Sequence, residues 1–352
     1  FCTGWSFGFG YFVVSLSWIG HAFLIEADVF AWALPFAVSL LPAGLAVFWG
    51  LAAMLAIWSW QPGFMRIVGL AASIGLFEWL RGTLFSGFPW NSPGYAVDAI
   101  QSLAQLASVV GIYGLTLLVV LWAAAPAALA DDQDHYGQRM SRLASLLLVA
   151  VTLIGGLAFG NWRLERATTT FHDDVRLRIV QPNVAQRDKW DPKRREEIIS
   201  KYLALTRDGP SGSTSESITH VVWPESALPV LIGELEGIRQ QIGGLLGGRA
   251  IYIMGAITRQ AATNGSEQNK AHNSVIVMAG NGAIVGQYHK QQLVPFGEFL
   301  PFAGWLEPLG LRKLVTIPTG FSAGPGPQTL SVAGTPAFAA LICYEAIFPV
   351  SM

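Results

Sequence analysis

The pattern of hydrophobic and polar positions changes character near residue 160. Before it, apolar residues run almost unbroken over Trp5–Leu24, Ala31–Trp58, Phe64–Leu84, Ile100–Leu129 and Leu143–Phe159. Each run is long enough to cross a hydrocarbon layer about 30 Å thick, which takes roughly 17–25 helical residues. A bilayer core cannot hydrogen-bond bare backbone, so these lengths predict membrane-spanning helices. The first run has no basic leader and is followed by further runs, which excludes a cleaved signal peptide.

After Gly160 the runs shorten and become β-branched. Val175–Gln181, Ile218–Trp223, Ala250–Thr258, Ser274–Met278, Ala283–Tyr288 and Pro336–Cys343 predict strands. Lys193–Thr206 predicts an amphipathic helix and Leu231–Leu246 a weaker one. Gly209–Ser217 reads as a polar loop and Gly280-Asn281-Gly282 as a hairpin turn. Strands interleaved with helices predict a layered α/β domain. Two domains are therefore expected, a helical membrane domain over 1–160 and a water-facing domain over 161–352.

Composition sharpens this division. Of the 352 residues, 52% are hydrophobic and 13% charged, against roughly 25% charged in an ordinary soluble domain. The shortage is local: residues 1–160 hold 11 charged residues and no lysine, and residues 161–352 hold 34. A disordered chain, a disulfide scaffold and a simple soluble enzyme are excluded. The net charge of −1 offers nucleic acid no attractive field. The two cysteines, Cys2 and Cys343, make no disulfide framework.

The few arginines give an orientation. Arg139 and Arg142 precede the last run, and Arg66 lies two loops earlier, on the same side. The excess of basic residues on the inner side puts 131–142 in the cytoplasm and the domain after Gly160 outside. Glu78 and Arg81 fall three apart on one helical face. Charges at membrane depth mark either function or a pair snorkelling to the interface. Gly87-Phe88-Pro89-Trp90 after them reads as an interfacial loop.

The candidate chemistry lies in the second half. No G-x-S-x-G elbow, phosphate-binding loop or H-E-x-x-H is present. The six histidines do not cluster at ligand spacings, so neither a metal nor a cofactor is expected. Three segments remain. Val221-Val222-Trp223-Pro224-Glu225 delivers a carboxylate where proline ends a strand. Tyr288-His289-Lys290 brings a lysine out of a strand, just before the loop Leu293-Val294-Pro295-Phe296-Gly297-Glu298. Leu341-Ile342-Cys343-Tyr344-Glu345 ends an apolar run in a cysteine. Singly these are commonplace, since a cysteine in an apolar run is most often an inert core residue. Together they could serve a thiol nucleophile, which needs a base and a cation nearby.

At these residues the sequence resembles the nitrilase superfamily, whose Glu-Lys-Cys triad comes in this chain order. Within it the likeness extends to the apolipoprotein N-acyltransferase family. Glu78-Trp79-Leu80-Arg81-Gly82, Gly87-Phe88-Pro89-Trp90, Gln181-Pro182-Asn183, Lys189-Trp190-Asp191-Pro192, Trp223-Pro224-Glu225 and Ile342-Cys343-Tyr344-Glu345 carry it along essentially the whole chain. The chain departs from the family at Pro182 and Gln292.

The resemblance implies a multi-span helical membrane domain followed by an α/β nitrilase-like αββα sandwich, an extracytoplasmic catalytic domain. It implies Glu225 as general base, Lys290 as oxyanion stabiliser and Cys343 as nucleophile. Glu298, Tyr344 and Glu345 would support them, with Trp190 on a mobile loop over the site. It also implies two further spans before the first run, and more of the soluble domain and a final span after Cys343. The chain opens on Phe1 and stops nine residues after Cys343, so it is expected to lack both ends.

The implied reaction is a two-step acyl transfer at the periplasmic face of a bacterial inner membrane. A phospholipid, phosphatidylethanolamine in the family, would acylate Cys343. The α-amine of an apolipoprotein's diacylglyceryl-cysteine would then take the acyl group from the thioester. The apolar stretch Phe299–Leu306 would form part of a lid or lipid entrance. A membrane-tethered amidohydrolase and an inactive lipoprotein-binding protein remain as alternatives.

Overall fold

The computed structural model describes residues 1–24, 27–61, 63–130, 136–185, 188–208, 217–228, 230–231, 236–260, 270–301, 304 and 320–349. It divides into two compact units, Phe1–Thr169 and Thr170–Met352.

The first unit is helical. Among the described residues four helices are long and apolar enough to cross a membrane, over Ala31–Trp58, Met65–Ser86, Ala107–Ala127 and Leu143–Arg166. A fifth span arises if Cys2–Ser15 and Ser17–Leu24, bent by 46°, count as one. The protein is a membrane protein. Lipid supplies little hydrophobic drive for helix association, so close backbone approach through small residues matters more. Helix Cys2–Ser15 uses this against Leu34–Trp58: a Cβ at Gly4 would lie 2.5 Å from that of Ala53. Phe12, Leu16, Leu45 and Trp49 fill the seam beside it. The run Ile100–Leu129 is not one straight helix. It opens with a short turn of helix, Gln101–Ala104, and Gly111 interrupts Ala107–Ala124 with φ of 64°. Its uniform apolarity concealed that break.

The Glu78–Arg81 pair does not snorkel. Both side chains are fully buried, with Arg81 Nη2 2.6 Å from Glu78 Oε2. Trp49 Nε1 donates to Glu78 Oε1 at 2.7 Å. Arg81 also donates to the carbonyls of Phe88 and Trp90 and to Ser92 Oγ. The guanidinium lies over the Phe12 ring. Every strong polar group here has a partner, as a buried charge requires. The pair thus ties two helices to the loop 87–92.

The second unit is built on a five-stranded sheet ordered β1 (Leu177–Ile179), β2 (His220–Trp223), β3 (Ile251–Gln260), β4 (Lys270–Met278) and β5 (Ile284–His289). β1, β2 and β3 are parallel; β3, β4 and β5 are antiparallel. A turn at 279–283 with Gly282 at φ 82° joins β4 to β5. Helices Arg195–Arg207 and Glu236–Gly244 contribute Ile198, Tyr202 and Ile242 to a core against one face, with Val221, Trp223, Tyr252 and Met254 of the strands. On the other face Val277 and Tyr288 pack with Leu330 and Ile342. That layer carries the short antiparallel pair β6 (Thr329–Leu330) and β7 (Phe338–Ala339). An α/β nitrilase-like architecture follows.

Several expectations need correction. The run Pro336–Cys343 is a strand only over Phe338–Ala339. Its remaining apolar side chains, Ala340 and Ile342, serve packing rather than a ladder. The weaker helix is Glu236–Gly244 rather than Leu231–Leu246. The polar loop at 209–216 and half of the stretch 299–306 lie outside the described residues.

Candidate active site

The site begins where β2 runs out. Pro224 has no N–H to continue the ladder, and Ser226 turns the chain with φ of 44°. Ala227 N then donates to Gly255 O at 2.9 Å. This corner depends on a glycine in the next strand: a Cβ at Gly255 would meet Glu225 Cα at 2.5 Å. Glu225 so reaches the sheet's edge, and its Oε1 accepts from Asn273 Nδ2 at 2.7 Å.

Asn273 sits inside β4, opposite Ile257. The same Nδ2 lies 3.3 Å from Glu298 Oε1. Asn273 Oδ1 is buried with no hydrogen-bond partner among the described residues. The residue also holds Lys290 through the backbone, since Lys290 N donates to Asn273 O at 2.8 Å. Lys290 follows β5 directly and is 1% exposed. Its Nζ lies 2.9 Å from both oxygens of Glu298. Glu298 is fixed in turn by Val294 N, which donates to Oε2 at 2.9 Å. A tight turn with Phe296 at φ 62° brings Glu298 back onto the lysine.

Cys343 opens a single 3₁₀ turn, Cys343–Ile347. It has φ of 52°, in the left-handed region that costs a residue with a Cβ. Glu345 pins this turn. Its Oε2 accepts from Ile342 N at 2.8 Å, and its Oε1 from Gln291 N at 2.7 Å, Gln292 N at 3.1 Å and Tyr288 Oη at 2.8 Å. Tyr344 is buried with its ring edge-on to Phe348.

Cys343 and Glu225 line the same cavity of about 370 Å³, walled by Val222, Ile253, Val275 and Ile342. Cys343 is exposed, yet these walls desolvate its sulfur. Burial pushes the thiol above its usual range, the Glu225 charge adds to the rise, and Lys290 opposes it. The cysteine thus senses both charges. Trp190 is 46% exposed on the loop before the first helix of this unit. Its neighbour Lys189 donates from Nζ to the Glu225 carbonyl at 2.9 Å.

The structure therefore gathers Glu225, Lys290 and Glu298 around one amide, with Cys343 on the wall beside Glu225. Asn273 and Gly255 were missed from sequence. Gly255 left a signal, a glycine inside an otherwise apolar strand run, whereas Asn273 lies in the polar stretch before the expected strand Ser274–Met278 and left none. Among the described residues no group of three or more His, Cys, Asp or Glu could hold a metal ion. The arrangement suits acyl chemistry on a thiol, with a carboxylate to move its proton and a buried cation to meet an oxyanion.

The model of the apolipoprotein N-acyltransferase N-terminal domain matches residues 1–125. An apolipoprotein N-acyltransferase of Rhodopseudomonas palustris is 41% identical over 351 residues, 99% of this chain and 65% of that protein. One from Brucella suis is 42% identical over 350 residues, 99% of this chain and 64% of that protein. The chain thus spans somewhat under two thirds of these relatives' length. Among solved structures, an amidase from Nesterenkonia sp. aligns with 51% of this chain and 59% of its own at 19% identity, with a TM-score of 0.31. The carbon-nitrogen hydrolase model matches residues 177–352, half of the sequence. The chain belongs to the carbon-nitrogen hydrolase family.

Proposed function

We propose that the protein transfers an acyl chain from a phospholipid to the α-amine of a diacylglyceryl-cysteine on an apolipoprotein. The observation that carries this reading is the pairing of Cys343 and Glu225 on one cavity wall in a chain with membrane-spanning helices. The naming of relatives about 40% identical along nearly the whole chain supports it.

In the first step Glu225 takes the Cys343 proton and the thiolate attacks the ester carbonyl of the lipid. Lys290 faces the oxyanion of the tetrahedral intermediate while Glu298 holds the lysine in place. Collapse breaks the ester C–O bond and the leaving alkoxide takes the proton from Glu225. A lysophospholipid departs, and a thioester remains on Cys343. In the second step the lipoprotein's amine attacks that thioester and passes a proton to Glu225. The C–S bond breaks, the thiolate recovers a proton, and an amide is formed. Phosphatidylethanolamine is the proposed donor.

The membrane helices fit this substrate. Each methylene of a lipid tail is held in apolar surroundings by about 0.8 kcal/mol, so the enzyme must work where the lipid already lies. Arg66, Arg139 and Arg142 support a periplasmic catalytic domain at the inner membrane of a bacterium.

The test incubates the full-length protein with phosphatidylethanolamine and weighs it intact. An adduct of one acyl chain, absent in Cys343→Ser and cleared by a diacylglyceryl peptide, is expected. No adduct, with turnover of simple amides, overturns the proposal in favour of an amidohydrolase. Neither adduct nor turnover favours an inactive binding protein.

A further inference from the structure

The chemistry above leaves Lys189, a partly desolvated cation beside the Glu225 corner, unused. Lys189 Nζ donates to the main-chain carbonyl of Glu225, 36 residues away in sequence. Burial lowers the pKa of this ammonium, and the Glu225 carboxylate opposes that effect. An ammonium gives up water only where another acceptor replaces it. Here the described acceptor is a carbonyl at the strand-end corner, not a carboxylate.

That carbonyl is one the sheet is poorly placed to hold. Pro224 carries no N–H, Ser226 is left-handed, and the corner lies against the backbone of Gly255. Lys189 therefore grips the corner from outside the sheet. The other side of its loop is firmly fixed. Arg194 pairs with Asp188 and meets Glu197 through two bonds of 3.0 and 2.8 Å. Asp191 accepts from Lys193 N at 2.9 Å and starts the turn Pro192–Arg194. Trp190 stands exposed between the grip and the anchor.

We propose that Lys189 is a positioning residue that couples the seating of the Trp190 loop to the placement of the Glu225 carboxylate. With the loop seated, the corner is held and Glu225 faces Asn273 and the cavity. Without the Lys189 bond the corner loses its outside support and the carboxylate is less firmly placed. The inference rests on the acyl-transfer reading for the step that Glu225 serves, and on geometry alone for the coupling.

Two measurements on the full-length protein test it without any lipid. The first is hydrogen exchange of the peptide 188–194. The second is the pH profile of Cys343 alkylation by iodoacetamide in a Cys2→Ser background. Losing one charge-assisted bond should speed exchange in Lys189→Met by about tenfold. The alkylation profile should shift, because a loosened Glu225 acts differently on the thiol. Lys189→Arg keeps a cationic donor and should restore both. If Lys189→Met fails to fold, Lys189→Gln is compared with Lys189→Arg in the same way.

Faster exchange with an unmoved alkylation profile would reduce Lys189 to a loop anchor and overturn the coupling. Unchanged exchange would overturn it as well. If the Lys189 variants show both effects while the wild-type protein takes no acyl adduct, the coupling stands and only the acyl-transfer reading is removed.

Discussion

Asn273 Nδ2 lies 2.7 Å from Glu225 Oε1 and 3.3 Å from Glu298 Oε1, so a single amide group stands between two carboxylates. Two acids this close repel each other unless a donor separates them. Asn273→Ala removes that donor. A lost hydrogen bond to a charged group costs about 1.5–3 kcal/mol, so kcat/KM should fall roughly ten- to a hundred-fold. Asn273→Asp should do worse, because a third acid joins the cluster. Steady-state acyl transfer by both variants, with thermal melting as a control for folding, checks this; wild-type rates would refute it.

Lys290 and Glu298 form an ion pair that is nearly closed to solvent, at 1% and 10% side-chain exposure. Removing one partner of such a pair typically costs about 3–5 kcal/mol, because the other charge stays buried. Lys290→Met and Glu298→Gln should each lower the melting temperature of the protein in detergent. The double variant should lose less than the two losses added together. Strict additivity would mean that the charges do not depend on each other.

Cys343 should alkylate with a pH midpoint above that of a free thiol, because burial and the Glu225 charge both disfavour the thiolate. Glu225→Gln removes the second cause, so the midpoint should fall. Lys290→Met removes the opposing cation, so it should rise. The same Glu225→Gln variant should lose acyl transfer, which separates a stabilised thiolate from a working base. Iodoacetamide kinetics across pH measure the midpoints.

Two histidines predict acid sensitivity. Burial lowers the pKa of His220, and burial followed by the neighbouring His272 lowers that of His289. The unfolded chain then binds protons before the folded one does. Their contribution to stability is complete above about pH 6.5 and is lost as pH falls toward the depressed folded values. Melting temperature should drop between pH 7.5 and 5, and His289→Phe should flatten the drop. An identical slope in that variant would remove His289 from the account.

Arg81→Met leaves Glu78 buried beside Trp49 with its charge unanswered. The variant should yield little folded protein in membranes, while Glu78→Gln with Arg81→Met together should recover some of it. Detergent-extracted yield by size exclusion reads this directly.

Parts of this site were visible in sequence for identifiable reasons. Pro224 ends a ladder by chemistry alone, so Glu225 could be placed at a strand end. Lys290 could be placed because an apolar strand run ends just before it and a loop punctuated by Pro295 and Gly297 follows. Cys343 was assigned to a strand because Pro336–Ile342 is apolar, and apolarity does not distinguish ladder pairing from packing under a sheet. Its left-handed backbone has no signature in a residue other than glycine. Asn273 was passed over because it sits in a polar stretch before the expected strand Ser274–Met278, and its partners come from segments 48 and 25 residues away. The bend at Gly111 was hidden for the opposite reason, since nothing polar marks it.

Glu345 joins the amide before Cys343 to the amides that follow Lys290. Cys343 and Lys290 are thus spaced by one carboxylate as well as by the chain between them. The turn that opens on Cys343 cannot slide without pulling on the backbone that leaves Lys290, so a change at either end is felt at the other.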